Sequence, residues 1–465
     1  MHPIEEALLD SLKLSSVIEE NFPSVFPQII IAYSGGLDSS VLLHAAYQLK
    51  KQNEISNLSA AHVNHGLQQH ADDWQNHCQQ ICEGYQLELK TKRLNLAEKN
   101  KRSEADARNG RFQFFEQLVD DGQLIMFAHH LDDQVETLLF RLFRGTGMHG
   151  MTGIPESRNL GSGRALRPLL KFSRQDLLDY AELHQLKWIE DPSNQQSDYR
   201  RNFIRNDVLS LIRSKWSSVS QSIAQFSNVA KQQVEILDEV AEKDLLDLNI
   251  SSESLCLNKL IDLSSARQNN LLHYWVRKIT NLSPSFGEIG EVFKQLDFST
   301  GVIVDPEKAI KVKVSSGWIR SYNQRLYFCA KEEPSPISRT LVWQDLNQPL
   351  DLGNGVTITC LNSENDLSEN KPSDKNLLVR KPKAGEVVSV RARVGGEVVH
   401  PSYREHSTEL KKVYQELKIP PWKRKWLPHV YYNDELIGIP GVFVAKQFQV
   451  IQEGQYFQID YQATN

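Results

Sequence analysis

A chain of 465 residues is long enough for roughly two to four domains, and with 40% hydrophobic and 24% charged residues it has the composition of an ordinary globular protein. It holds no apolar run of about eighteen residues that would span a membrane, and a net charge of −5 excludes a chain that is basic throughout. Five cysteines, odd in number and sparse, exclude a disulfide framework, and MHPIEEALLDSLK lacks a signal-peptide pattern, so a cytoplasmic setting is expected.

The first 145 residues alternate in kind. QIIIAY (28–33) reads as a buried strand, and SSVLLHAAYQLKK after it as a helix. LSAAHVNH (58–65) is a second strand, and 70–83 is helical in period. QLELKTKRL (86–94) alternates as a strand, and 103–121 reads as a helix opened by a Ser cap. QLIMFAHH (123–130) is a fourth strand, followed by the helix DDQVETLLFRLFR. Strand–helix alternation predicts a parallel sheet wrapped on both faces, with ligands at the carboxyl ends of its strands. A Gly-rich stretch (144–153) precedes an arm and helix (167–186), then a polar loop and helix (188–212). The pattern from 217 to 300 is helical, and 301 to 360 holds short alternating runs such as AIKVKV and RLYFCA. LNSENDLSENKPSDKN (361–376) reads as a linker, and a module rich in Val, Gly and Pro follows.

Three places at strand ends carry chemistry. In Ser34-Gly35-Gly36-Leu37-Asp38-Ser39 the glycines let backbone N–H groups converge on an anion, and the next helix adds its dipole. Asp38 looks misplaced beside a phosphate unless it also binds Mg²⁺; alone it would read as a helix cap. His62 and His65 stand at the exit of the second strand, beside Asn64 and Gly66, as a ligand-facing turn. In the helix after the fourth strand, Leu131, Val135, Leu138 and Leu142 form an apolar stripe. Asp132, Asp133 and Glu136 fall opposite it, within about 100° of one another. Clustered acids there suit Mg²⁺ or a cationic substrate, His129 could join them on a metal, and Asp133-x-x-Glu136 is also a capping-box spacing.

Other features carry less. GTGMHGMT (145–152) has Met151 where a Walker loop needs Lys, and as a G-x-G-x-x-G it follows a helix rather than a strand, so it reads as a mobile loop. Cys78 and Cys82 have no second pair and read as ordinary thiols. From Arg380 to Lys425 twelve Lys/Arg face five Glu and no Asp, a solvated basic face or a phosphate-backbone contact.

SGGLDS after the first strand resembles the PP-loop signature of ATP pyrophosphatases. A longer ordered set is similar to the tRNA(Ile)-lysidine synthetase family of that superfamily. It comprises SGGLDS (34–39), HVNHGL (62–67), EADAR…RF (104–112), AHHLDDQVET (128–137), RGTG (144–147), RPLL (167–170) and WIEDPSN…YRRNFIR (188–205). The resemblance implies an α/β fold. Its N-terminal domain would be a doubly wound parallel sheet (adenine nucleotide α-hydrolase-like), followed by a mainly helical middle domain and a small α+β C-terminal domain. The expected bounds are 1–216 for the ATP-binding catalytic domain, 217–330 for a helical substrate domain, 331–376 for a connecting segment and 377–465 for a basic tRNA-binding domain.

The implied substrates are ATP, L-lysine and a tRNA(Ile) with a CAU anticodon. ATP would adenylate the C2 oxygen of the wobble cytidine and release pyrophosphate; the lysine ε-amino group would attack C2 and expel AMP. Carried over residue by residue, Ser34, Gly35, Gly36, Leu37, Asp38, Ser39, His62 and His65 would bind ATP, with Mg²⁺ on Asp38. Asp132, Asp133 and Glu136 would bind lysine, and Asp38, Asp133, Glu136 and Arg205 would be catalytic. Arg108, Arg111, Arg404, Lys411 and Lys412 would contact tRNA, and Tyr403, His406 and Trp422 could add stacking. Gln68 stands where the family often has Arg, and Met148 departs from the usual GTG loop.

Three rivals are weaker. A tRNA thiolation enzyme needs paired sulfur-handling cysteines near the site, and none of the five sits in such a motif. A small-molecule amidation ligase leaves the basic module without a purpose. A catalytically inactive tRNA-binding protein is at odds with Asp38, Asp133 and Glu136. No membrane partner is expected, and the sequence leaves the oligomeric state open, a homodimer included.

Overall fold

The computed structural model describes residues 1–18, 28–64, 71–94, 104–120, 122–190, 200–247, 254–296, 310–314, 317–330, 337, 339–353, 355–363, 377–393, 395–450 and 456–463. They fall into two compact units, Met1–Glu239 and Val240–Asn465.

The first unit is built on a six-stranded sheet. In chain order its elements are α1 (Pro3–Ile18), β1 (Ile29–Ala32), α2 (Leu37–Lys51), β2 (Leu58–Asn64), α3 (Ala71–Gly84), β3 (Leu89–Arg93), α4 (Glu104–Leu118), β4 (Leu124–Met126) and α5 (Leu131–Leu142). A four-residue helix α6 (Met148–Met151), the hairpin β5 (Ser157–Leu160) and β6 (Gly163–Leu166), and α7 (Arg174–Leu183) follow. Then come α8 (Arg200–Phe203), a π-helical turn (Ile204–Val208), α9 (Leu209–Arg213) and α10 (Val219–Asp247), which runs on into the second unit from Val240. Strand order is β3-β2-β1-β4-β6-β5, parallel except for β5 at one edge. Ile29, Ile30 and Ile31 of β1 are all buried, because a strand covered by helices on both faces needs no polar side. The chain runs outward from β1 to β3, then returns to β4 on the other side of β1. That reversal opens a crevice beyond the carboxyl ends of β1 and β4. The doubly wound sheet expected from the alternation is therefore present.

The second unit carries a helical part and a β-rich part. Strands β7 (Ser254–Cys256), β8 (Lys311–Val314), β9 (Gly317–Tyr322) and β10 (Arg325–Ala330) form an antiparallel sheet in the order β7-β10-β9-β8. Helices α11 (Leu257–Ile261), α12 (Ser265–Thr280) and α13 (Phe286–Leu296) share a core with it around Leu272, Trp275, Ile289 and Ile319.

The stretch expected to connect, 331–376, is not merely a connection. It contributes β11 (Leu341–Val342), β12 (Leu350–Asp351) and β13 (Val356–Ser363). Strand β13 pairs along its whole length with the last strand, Tyr456–Ala463. Trp343, Leu352, Val356 and Ile358 are buried in the core that also holds Val379, Val390 and Ile459. The polarity that suggested a linker belongs to residues after 363, which lie outside the described set. The rest of this core comes from the strands Leu377–Arg380, Val388–Arg391, His429–Tyr432 and Glu435–Ile439 and the helix Leu410–Glu416.

The Gly-rich stretch expected to be a mobile loop is pinned. Arg141 donates to the carbonyls of Gly150 at 2.8 Å and Gly153 at 2.9 Å, and Gln134 brackets Ile154 through both its amide groups at 2.6 and 2.9 Å.

Candidate active site at the crossover of the parallel sheet

The loop after β1 is shaped by its own short side chains. Gly35 has φ +85°, and a Cβ there would stand 2.9 Å from Cys78 Sγ, so glycine is required on both counts. The Ser39 hydroxyl donates to the Gly36 carbonyl at 3.0 Å and lies 3.0 Å from the Ser34 hydroxyl, which folds the turn onto the first turn of α2. No side chain caps that helix, so its N-terminal N–H groups are left for a ligand. The Gly35 carbonyl accepts from Ile189 N at 2.9 Å, which brings Trp188 and Glu190 to the same mouth.

The segment after β4 is held by a different device. His130 is the N-cap of α5: its Nδ1 accepts from Asp132 N at 3.2 Å, and its own N–H donates to Asp133 Oδ2 at 3.1 Å. With Nδ1 accepting, the neutral ring carries its proton on Nε2. That atom lies 3.5 Å from Asp38 Oδ2 and 3.6 Å from Asp133 Oδ2, so His130 bridges the two strand ends. Burial opposes protonation of His130, and Asp38, Asp133 and Asp132 together outweigh it and raise its pKa. Its neighbour His129 is driven the other way, to about 4, by burial, with Arg167 and Arg111 adding to the effect.

The three acids of α5 do not stand open on a solvent face. Glu136 is 0% exposed, and its carboxylate is held by Arg205, through Nε and through Nη2 at 3.0 Å, and by Arg201 Nε at 3.3 Å. Asp133 lies 3.5 Å from Arg205 Nη2, and burial of its carboxyl is overcome by His130, His129 and Arg201, which lower its pKa. Asp132 is held by Arg213 and by the backbone N of Arg174 at 3.0 Å. Each carboxylate therefore has an arginine partner, because α8, the π-helical turn and α9 pack against α5. Of the apolar stripe, Leu131, Val135 and Leu138 are buried and Leu142 is exposed. Arg201, Arg213 and Arg174 are the residues that sequence reasoning missed. The arginines at 201, 205 and 213 recur at helical spacing, which was the available signal.

Between these elements lies a cavity of about 560 Å³. Leu37, His130, Asp132, Glu136, Trp188 and Glu190 form part of its wall, with Arg174, Arg205, Arg213, Ser210, Ser217 and Ser220 on others. That size is typical of small-molecule sites. Among the described residues Glu190 and the Arg174 side chain have no ion-pair partner. Asp38 Oδ1 is buried and also lacks a partner. No group of three or more His, Cys, Asp or Glu among the described residues is arranged to hold a metal ion.

The remaining expected site residues fall elsewhere. His62 is buried behind the loop, its Nδ1 2.9 Å from the Tyr33 carbonyl and 3.5 Å from Cys78 Sγ, so it props β1. His65 and Gln68 lie outside the described residues, as does the side chain of Arg108. Cys78 and Cys82 are buried free thiols pushed up to about 12 by burial, as ordinary core cysteines are. In the second unit Arg404 pairs with Glu416 at 3.0 Å, and Lys411 and Lys412 are exposed on one short helix.

Comparison with known proteins completes the picture. A PP-loop domain model matches residues 10–212, a TilS substrate binding domain model 255–327 and a TilS substrate C-terminal domain model 388–461. The tRNA(Ile)-lysidine synthase of Pectobacterium atrosepticum is 35% identical over 422 residues, covering 91% of this chain and 92% of that one. The tRNA(Ile)-lysidine synthase of Shigella flexneri is 33% identical over 420 residues, 90% and 93% of the two chains. Among solved structures, a U34-tRNA thiolase from Methanococcus maripaludis aligns over 49% of this chain and 78% of its own. Its identity of 18% and TM-score of 0.39 carry no argument about function.

Proposed function

The chain belongs to the tRNA(Ile)-lysidine synthase family, and from that premise we propose how its residues carry the reaction. The activity is ATP-dependent carbon–nitrogen ligation on an isoleucine tRNA with a CAU anticodon. ATP adenylates the C2 oxygen of the wobble cytidine and pyrophosphate leaves; an amine then takes C2 and AMP departs, giving lysidine. The physical logic is leaving-group activation, since a carbonyl-type oxygen leaves poorly and an AMP ester leaves well.

The observation that carries the residue assignment is the meeting of the 34–39 loop and the start of α5 across the crevice, through Asp38 and His130, at the wall of one cavity. The N–H groups of Gly35, Gly36 and Leu37 and the uncapped start of α2 cradle the phosphates that leave together, with Ser34 and Ser39 holding the turn. The residues fit Mg²⁺: Asp38 Oδ1 is buried without a partner, and one carboxylate plus phosphate oxygens is an ordinary Mg²⁺ set. Bound there, the ion would offset the charge that develops on pyrophosphate. Arg205 and Arg201, spread over Glu136, present their remaining N–H groups to phosphate or to the activated base.

L-lysine is the proposed source of the amine. Asp132, Asp133 and Glu136, expected to receive it, already hold arginines and act by positioning them. Glu190, the cavity carboxylate with no partner among the described residues, takes the lysine ammonium, and Arg174 its carboxylate. Residues 1–216 form the proposed catalytic domain, 217–330 the substrate domain and 377–465, together with the strands of 341–363 that share its core, the tRNA-binding domain of a cytoplasmic enzyme; light scattering tests for a homodimer.

Incubation with labelled lysine, ATP and total tRNA tests the reading. Label is expected in one isoleucine tRNA fraction, with AMP and pyrophosphate released in equal amounts. No transfer, or transfer of sulfur instead, overturns it. Glu190→Gln is expected to raise KM for lysine at least about tenfold, the loss of one charge-assisted contact, and to leave KM for ATP unchanged.

A further inference from the structure

Trp216 is the one exposed tryptophan of the chain's eight, at 65% exposure. It stands in the turn between α9 and α10. Its N–H donates to the Ile212 carbonyl at 2.9 Å, and its own carbonyl accepts from Val219 N at 3.1 Å. The backbone under the indole is thus tied to a helix on either side. The residues flanking the turn, Arg213, Ser217, Ser220 and Gln221, line the active-site cavity. From Arg213 to Ser220 the chain carries Arg213 and Lys215 and no acid. A large aromatic surface left in water on a fixed turn whose neighbours line the cavity, with Lys215 beside it, matches an aromatic platform for nucleic-acid bases.

We propose that Trp216 stacks on the base next to the reacting cytidine when the anticodon loop is bound, an inference that rests on the proposed function above. The chemistry requires it to replace something specific. A cytidine whose C2 enters a cavity of about 560 Å³ must leave its stack. Its neighbour then loses one stacked face to water, and an indole at the rim covers that face. Lys215, next to the indole in the chain, meets a phosphate beside it.

The test is a double-mutant cycle between protein and RNA. One arm compares wild type, Trp216→Ala and Trp216→Phe. The other compares a CAU anticodon stem-loop RNA with two versions, each carrying an abasic nucleotide on one side of the reacting cytidine. Trp216→Ala is expected to weaken binding of the intact RNA by roughly 5- to 150-fold, the range for one lost base stack. Trp216→Phe should recover most of it, and KM for ATP and lysine should not change. On one of the two abasic RNAs, Trp216→Ala should cost nothing further. An equal loss on all three RNAs, or no loss on any, overturns the proposal. So does a change of oligomeric state by light scattering with RNA affinity unaltered, which would give the indole to a second copy of the chain. Absence of lysine transfer by the wild-type enzyme would instead overturn the functional reading, and this inference with it.

Discussion

Arginines do different work in the two units. Around the cavity of the first unit they meet carboxylates: Arg205 and Arg201 on Glu136, Arg213 on Asp132. In the second unit some also pair with acids, as Arg404 does with Glu416, but several lie over aromatic rings: Arg391 at 3.9 Å from the Tyr431 centroid, Arg380 at 5.2 Å from Tyr432, Arg424 at 5.5 Å from Tyr414 and Arg320 at 5.2 Å from Trp422. Arg380 also pairs with Glu386 at 2.7 Å. The first arrangement holds charge in a concave, partly dry place where a substrate can exchange for a partner. The second spreads charge over a β surface and keeps the long stems packed. An excess of seven basic residues between 380 and 425 is therefore not an excess of seven free cations.

The sharpest break between the units concerns Asp38, the acid beside His130 with a buried, unpartnered oxygen. Asp38→Ala is expected to lower ATP–pyrophosphate exchange by at least about 100-fold, as loss of a transition-state contact does, with tRNA binding nearly intact. Undiminished exchange would remove Asp38 from the phosphate site. Next come the arginines themselves. Arg205→Ala exposes the buried charge of Glu136 to a single remaining partner and should cost about 3–5 kcal/mol in urea unfolding of the first unit. Arg391→Ala, which removes a ring contact and a 3.5 Å pair with the exposed Asp434, should cost about 0.5–2 kcal/mol in the second. Equal costs would erase the distinction between the two arrangements.

One pH effect can be read in the second unit. His429 is fully buried between Tyr414, 2.8 Å from its Nε2, and the Leu427 carbonyl, and burial lowers its pKa to about 4. The unfolded chain binds a proton near pH 6.5 that the folded chain refuses. Stability is thus whole above that pH, falls as pH drops from 6.5 to 4, and levels off below. The loss from this group reaches about 3 kcal/mol at the low end. His429→Gln should flatten that slope in urea titrations between pH 7 and 4; an unchanged slope would show that other groups set it. The smallest effect is at the surface. Lys411→Ala with Lys412→Ala should lower the salt slope of tRNA binding by about one to two and leave catalysis on bound tRNA intact. An unchanged slope would make the pair a solvated face.

The parts of the fold that could be read from the chain are those whose causes are local. Three isoleucines in a row, paired glycines opening a loop after a strand, and an alternation of strand and helix needed no knowledge of distant residues; the fit of Gly35 over Cys78 did. The capping of α5 was half legible: the acid at 133 was seen, and its partner is His130 rather than Glu136. The connecting stretch was misjudged because β13 has its partner at 456–463, about a hundred residues on, and short strands that pair so far away leave little trace in composition.

By itself the sequence determined the parallel sheet, the phosphate loop and the family, because backbone conformation and motif spacing are written in neighbouring residues. Only the tertiary structure decided which charges remain available. Glu136 meets Arg205 across 69 residues of chain and Asp132 meets Arg213 across 81, and no helical period links them. Packing of α8 and α9 against α5 neutralised the acids that looked open, while among the described residues Glu190 is left without an ion-pair partner, Asp38 Oδ1 without a hydrogen-bond partner and Trp216 exposed. Burial and pairing are properties of the assembled fold, and they set the free energy of a charge more strongly than its identity does.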